Sequence, residues 1–158
     1  MEKEEVISNI QKAYSQLLER DGHLLTADAN ERSITHKLAE YLQLQFPAWN
    51  VDCEYNRNGI DPKKLISFVK NIKSDNTDAV SVYPDIIVHH RRTKNNLLVI
   101  EAKKSNFNGE DLDEQKLKAF KKDLGYKYAF KVTFPVKEDL RKIVDIADYV
   151  QEMERDDE

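Results

Sequence analysis

A chain of 158 residues with 40% hydrophobic and 34% charged side chains suits one domain over residues 1–158 with a sizeable core, and leaves too little length for a second. No apolar run approaches the roughly 20 residues of a membrane span. The opening Met1-Glu2-Lys3-Glu4-Glu5 has neither part of a secretory signal, and lone Cys53 excludes an intrachain disulfide, so a soluble cytoplasmic protein with no membrane partner is expected. The net charge of −4 argues against a uniformly basic surface, yet from Asp148 to Glu158 six acids and one Arg carry −5, which leaves the body at +1.

Val6, Ile7, Ile10, Tyr14, Leu17 and Leu18 recur at helical spacing and predict an amphipathic helix ending near Asp21-Gly22. A second is expected from about 30 to 45, capped by Asn30 or Asp28, with Ile34, Leu38, Tyr41 and Leu42 as its apolar stripe. Glu31 falls on that stripe. It either complements the helix dipole or points towards whatever the sheet carries. Val51, Cys53 and Tyr55 alternate with Asp52 and Glu54 as a first strand, with Cys53 expected to be a buried small hydrophobe. Arg57, in the polar turn that follows, is a candidate grip for a phosphate. Residues 60–78 read as an insertion, with a short helix from Pro62 carrying Leu65, Val69 and Ile72.

The next two apolar runs contain charges that need a reason. Pro84-Asp85-Ile86-Ile87-Val88-His89-His90 is followed, after Arg91-Arg92-Thr93-Lys94-Asn95, by Asn96-Leu97-Leu98-Val99-Ile100-Glu101-Ala102-Lys103. Strand alternation puts Leu97, Val99, Glu101 and Lys103 on one face and Leu98, Ile100 and Ala102 on the other. A hairpin pairing His90 with Asn96 and Val88 with Leu98 sets Asp85 opposite Glu101, at the Cβ spacing of roughly 4.5–5.5 Å at which two carboxylates can share a divalent cation. His89 and His90, at the hairpin end, and His36, off its helix stripe, are expected to be solvated.

Residues 112–124 form a basic helix burying Leu117, Phe120 and Leu124 and ending at Gly125. Tyr126, Tyr128, Phe130, Val132 and Phe134 then alternate with Lys127, Ala129, Lys131 and Thr133 as a strand whose aromatic face belongs to the core. A last helix is expected through Leu140, Ile143, Val144, Ala147 and Val150, fraying into a mobile acidic tail over about 148–158. Positive charge gathers along Arg91, Arg92, Lys94, Lys103, Lys104, Lys116, Lys118, Lys121 and Lys122, a local basic rim.

At Pro84-Asp85 and Glu101-Ala102-Lys103 the chain resembles the PD-(D/E)xK nuclease superfamily, the restriction-endonuclease-like fold, whose signature is Pro-Asp on one strand and Glu-x-Lys on the next. The resemblance covers about 31–134. It implies an α/β protein with a central mixed four-stranded sheet flanked by helices, in the core order α-β-β-β-α-β, with an added helix at each terminus. It also implies metal-dependent hydrolysis of nucleic-acid phosphodiesters, DNA foremost, with Mg²⁺ (or Mn²⁺) as cofactor. Asp85 and Glu101 would then be metal ligands and the Ala102 carbonyl a third. Lys103 would stabilise developing charge, and Glu31 would approach from the preceding helix. Arg57, Arg91, Arg92, Lys104, Lys116 and Lys118 are the candidate nucleic-acid contacts, and a homodimer is an allowed assembly. The Gln-x-x-x-Tyr motif of the RecB-like branch is absent, because Gln115 is followed four residues later by Ala119. The alternative is an inactive module of the same fold that binds nucleic acid or a protein.

Overall fold

The computed structural model describes residues 1–55, 64–65, 80–81 and 83–154. Arg57 and most of the 60–78 insertion lie outside them. Of that insertion, Lys64–Leu65 (β2) pairs antiparallel with Val80–Ser81 (β3), so Leu65 belongs to a strand and not to the predicted helix. Among the described residues no helix is long and apolar enough to cross a membrane.

Helix α1 (Lys3–Thr26) buries Val6, Ile10, Ala13, Tyr14 and Leu17 as its spacing requires. It does not stop at Asp21-Gly22. Asp21 leaves helical geometry (φ −125°, ψ 22°), but the chain resumes its coil and buries Leu25. The Asp21 carboxylate meanwhile accepts the Tyr41 hydroxyl of the next helix, so a residue with low helix propensity marks a kink and a tie instead of an end. Helix α2 (Glu31–Gln45) starts where Asn30 Oδ1 accepts the Ser33 N–H at 2.8 Å.

Strands β1 (Asn50–Cys53), β4 (Ile86–His89), β5 (Asn96–Lys104), β6 (Tyr128–Phe134) and β7 (Val150–Glu152) form one mixed sheet in the order β1-β4-β5-β6-β7. It has five strands where four were expected. Pairing is antiparallel except for β5 with β6, which run parallel. Parallel neighbours need a crossover, and α3 (Asp113–Leu124) supplies it, closing at Gly125 in the left-handed region (φ 67°). Helices α1 and α2 cover one face, over Ile86, Val88, Leu98, Ile100, Ala102, Phe130 and Val132. Helix α3 covers the other, over Ile87, Val99 and Ala129. Burial on both faces explains why β5 reads as a near-continuous apolar run.

The predicted last helix is absent. Lys137–Lys142 and Ile146–Tyr149 are short 3₁₀ turns, and Val150–Glu152 is the edge strand β7. Asp145 Oδ1 takes the Ala147 N–H at 3.0 Å, which gives the backbone a local alternative to a helix. Val144, placed by the helical reading on the buried stripe, is 96% exposed. The hairpin register also differs at its tip. Ile86 pairs with Ile100 and Val88 with Leu98 as expected, but a bulge makes His89, not His90, the partner of Asn96. Leu97 accordingly joins the core on the α1/α2 side.

Candidate active site

The site forms where β5 outruns β4. The last paired residue of β4 is Ile86, opposite Ile100, and beyond it the β5 backbone has no strand partner on that side. The Asp85 carboxylate takes over, with Oδ2 accepting the Ala102 N–H at 2.8 Å. Within a strand the N–H and C=O of one residue face the same neighbour, so the Ala102 carbonyl is directed to the same side as Asp85. The register carries Asp85 to a place opposite Glu101, and their carboxyl groups are hydrogen-bonding neighbours. Ile87 and Val99, one step inward on this face, lie against α3.

Glu101 is 1% exposed, and Lys116 of α3 places its ammonium 3.4 Å from Oε2. Oε1 is buried with no donor among the described residues. Its neighbour is Asp85, also a carboxylate, so the two oxygens can meet only through a shared proton or a cation. Burial first, then the charges of Asp85 and Asp113, push the Glu101 carboxyl well above the usual carboxylate range, against the pull of Lys116. For Lys116, burial alone would lower the ammonium, but Glu101, Asp113 and Asp85 outweigh it and raise it.

Asp113, in the first turn of α3, is 2% exposed, and its Oδ2 also has no hydrogen-bond donor. The Lys103 ammonium stands 3.8 Å from that oxygen and 4.7 Å from the centre of the Phe107 ring. Burial raises the Asp113 carboxyl, Asp111 and Asp85 add to the shift, and Lys103 and Lys116 oppose it. Glu31, half-buried at the start of α2, faces the same group. Burial raises its carboxyl, with Asp85 and Asp113 adding and Lys103 and Lys104 opposing.

Four carboxyl groups, Glu31, Asp85, Glu101 and Asp113, thus feel one another's charge, with Lys103 set against Asp113, Lys116 against Glu101, and Glu31 sharing a cleft with Asp85. The sequence reading names all of these as site candidates except Asp113, and it assigns Lys116 to the nucleic acid. The signal available for Asp113 and Lys116 is their i, i+3 spacing on a helix that follows Glu-x-Lys. Matched to Lys103 and Glu101, two residues apart on β5, it makes a crossed pair of opposite charges. A cleft of about 970 Å³ opens beside the group, and Glu31 and Asp85 line it together with Arg32, His36 and Lys37 of α2, Cys53 at the end of β1 and Glu54 just after it. The last five escape the sequence reading as cleft residues.

No match to this chain is found among family models, curated proteins or solved structures. The remaining placements come from geometry alone.

Several cations of the expected basic rim are already paired with carboxylates. Lys104 binds Asp28 Oδ1 at 2.9 Å and the Ala29 carbonyl at 3.2 Å, tying the α1–α2 connection to β5. Lys116 serves Glu101, and Lys118 pairs with Glu114 along α3 at 3.4 Å. Arg91 grips Asp52 at 2.9 and 2.5 Å, while Arg92 stands exposed at the hairpin tip. Each paired cation meets a carboxylate that lies far from it in sequence or on the next helical turn, which a composition count cannot show. Two other expectations reverse. His89 is buried, with Nε2 2.7 Å from Asp52 Oδ2 and its ring against Tyr55, because β4 lies inside the sheet between β1 and β5. Cys53 is exposed, because β1 is an edge strand and the cleft opens beside its end. His36 stands in solvent, as expected, 2.8 Å from Glu40.

Among the described residues no group of three or more His, Cys, Asp or Glu is placed to hold a metal ion. Two carboxylates and a carbonyl make a partial shell. Mg²⁺ takes such a shell when waters and a phosphate complete it, and Glu101 Oε1, a buried acceptor with no donor among the described residues, is an atom a cation would satisfy. The residues present therefore fit that group.

Proposed function

We propose that the chain is a metal-dependent phosphodiesterase of the PD-(D/E)xK type acting on nucleic acid, DNA foremost. The observation that carries this reading is buried Glu101, whose Oε1 has no donor among the described residues and whose carboxyl group neighbours that of Asp85. Asp85, Glu101 and the Ala102 carbonyl would hold a Mg²⁺ or Mn²⁺ ion. When bound, such an ion supplies Lewis-acid polarisation of the phosphoryl oxygen and a more acidic water. The chain's own groups do the rest. Lys103, held between Asp113 and the Phe107 ring, sets a fixed positive charge where negative charge grows on the phosphate oxygens. Lys116 offsets part of the carboxylate repulsion, so the site keeps its shape before substrate arrives. Glu31, on the cleft wall, would orient a water on the substrate side. The reaction is hydrolysis: a water oxygen bonds to phosphorus, the bond to the leaving sugar oxygen breaks, and that oxygen gains a proton.

A cleavage screen with Mg²⁺, Mn²⁺ or chelator over single-stranded, duplex and branched DNA and the matching RNAs tests the proposal. Cleavage that needs the cation and vanishes in Asp85→Asn supports it. A second reading, a binding module without turnover, is favoured by the Lys116 pair, which already gives Glu101 a positive partner. Absence of cleavage on every substrate, with no cation-dependent rise in melting temperature, would select that reading.

A further inference from the structure

Among the described residues, the large apolar side chains left exposed are Met1, Leu44, Tyr83, Phe107 and Val144. Two of them are aromatic: Phe107, whose ring lies under the Lys103 ammonium, and Tyr83, which leads into Asp85 in the chain. Tyr83, 62% exposed, lies two residues before Asp85, and Phe107, 45% exposed, lies four after Lys103. Phe107 is also held in place. The Lys103 ammonium sits over its ring, and Gly109 leaves room at its tip, where a Cβ would come within 3.2 Å of Cζ. A fixed ring loses little freedom when something stacks on it.

The cations near the site point the same way. Arg91, Lys104, Lys116 and Arg32 are each already paired with a carboxylate, Arg32 with Glu54 at 3.2 Å. Among the described residues these pairings hold cations back from displacing counterions on a phosphate backbone, which reduces that contribution to affinity. A duplex keeps its bases stacked on each other and offers a protein chiefly its phosphates and groove edges. An unpaired strand offers base faces, and each base–aromatic stack is sequence-tolerant.

We infer that the site takes an unpaired nucleic-acid strand, with bases on either side of the reacting phosphate stacked on Tyr83 and Phe107. This rests on the proposed site only in placing that phosphate at Asp85 and Glu101.

The test is fluorescence anisotropy with labelled oligo-dT and oligo-U of about 12 nucleotides and a duplex of equal length, with Ca²⁺ replacing Mg²⁺ so that binding is read without turnover. Single strands are expected to bind at least tenfold more tightly than duplex. Tyr83→Leu and Phe107→Leu should each weaken single-strand binding about five- to thirtyfold while leaving duplex binding and the thermal melt unchanged, and Tyr83→Phe should bind like the parent. Equal or tighter duplex binding, no single-strand binding, or leucine variants that bind like the parent would overturn the inference. A strand bound with this aromatic dependence but uncleaved in Mg²⁺ or Mn²⁺ would sink the proposed hydrolysis alone. Cleavage by a parent whose leucine variants bind unchanged would sink the stacking role alone.

Discussion

Asp85 does two things at once, and the choice of substitution separates them. Its carboxylate caps the Ala102 N–H and adds to the negative charge around buried Glu101. Asp85→Asn keeps an acceptor for that N–H and removes the repulsion, so it should melt at or above the parent's temperature without metal while losing all cleavage. Asp85→Ala also orphans the N–H, at a cost of about 1–3 kcal/mol that offsets the relief of charge, and should be no more stable than Asp85→Asn. Paired melts of the two variants decide this. Lys103→Met removes a charge aimed at the reacting phosphate, so steady-state kinetics should show kcat falling by about 10²-fold or more with KM changed little. A rise in KM alone would make Lys103 a docking residue.

At the scale of elements, the C-terminal segment is the clearest case. An acidic tail reads as removable, but β7 pairs with β6 from Val150 to Glu152. Lys3 reaches Glu152 at 2.5 Å, and the Met153 N–H donates to the Ala129 carbonyl at 2.8 Å. Truncation after Val150 removes most of this. With each lost hydrogen bond worth roughly 0.5–1.5 kcal/mol, it should cost about 2–4 kcal/mol by chemical denaturation. Helix α2 offers a second check. Asn30→Ala deletes the bond that sets its first turn and should cost about 1 kcal/mol. If that turn also aims Glu31, cleavage should fall by more than the lost stability explains.

For the whole molecule, the acidic cluster makes stability depend on pH and on cations together. The carboxyls of Glu31, Glu101 and Asp113 lie above their ordinary values in the folded state. Groups raised in this way contribute stability that is complete below the unfolded carboxylate range and is lost as pH climbs through their folded values. Asp28, Asp52, Asp111 and Asp139 are lowered and act in the opposite sense, losing their contribution as pH falls through the acid range. Without metal, the melting temperature should therefore peak in mildly acid solution and decline towards neutral pH. Mg²⁺ or Mn²⁺ should restore it, and by more as pH rises, because the cation replaces protons on the same oxygens. Calorimetry in buffers of different ionisation enthalpy would count the protons released, and none released would remove the cation from this cluster.

The sequence by itself determined the elements whose pattern is local. Apolar spacing marked α1, α2, α3 and β6, the Asn30 and Gly125 caps set boundaries, and strict alternation put Asp85 and Glu101 on one face, since register within a hairpin is a short-range matter. Tertiary structure alone decided what depends on partners distant in the chain. It made β7 a strand, because β6 offered an open edge where local helical spacing predicted a coil. It brought Asp113 and Lys116 to β5, because the crossover between parallel β5 and β6 lays α3 over that face. It spent the rim cations on Asp28, Asp52 and Glu101, because opposite charges that folding brings into contact and partly buries must pair, whichever segments they come from.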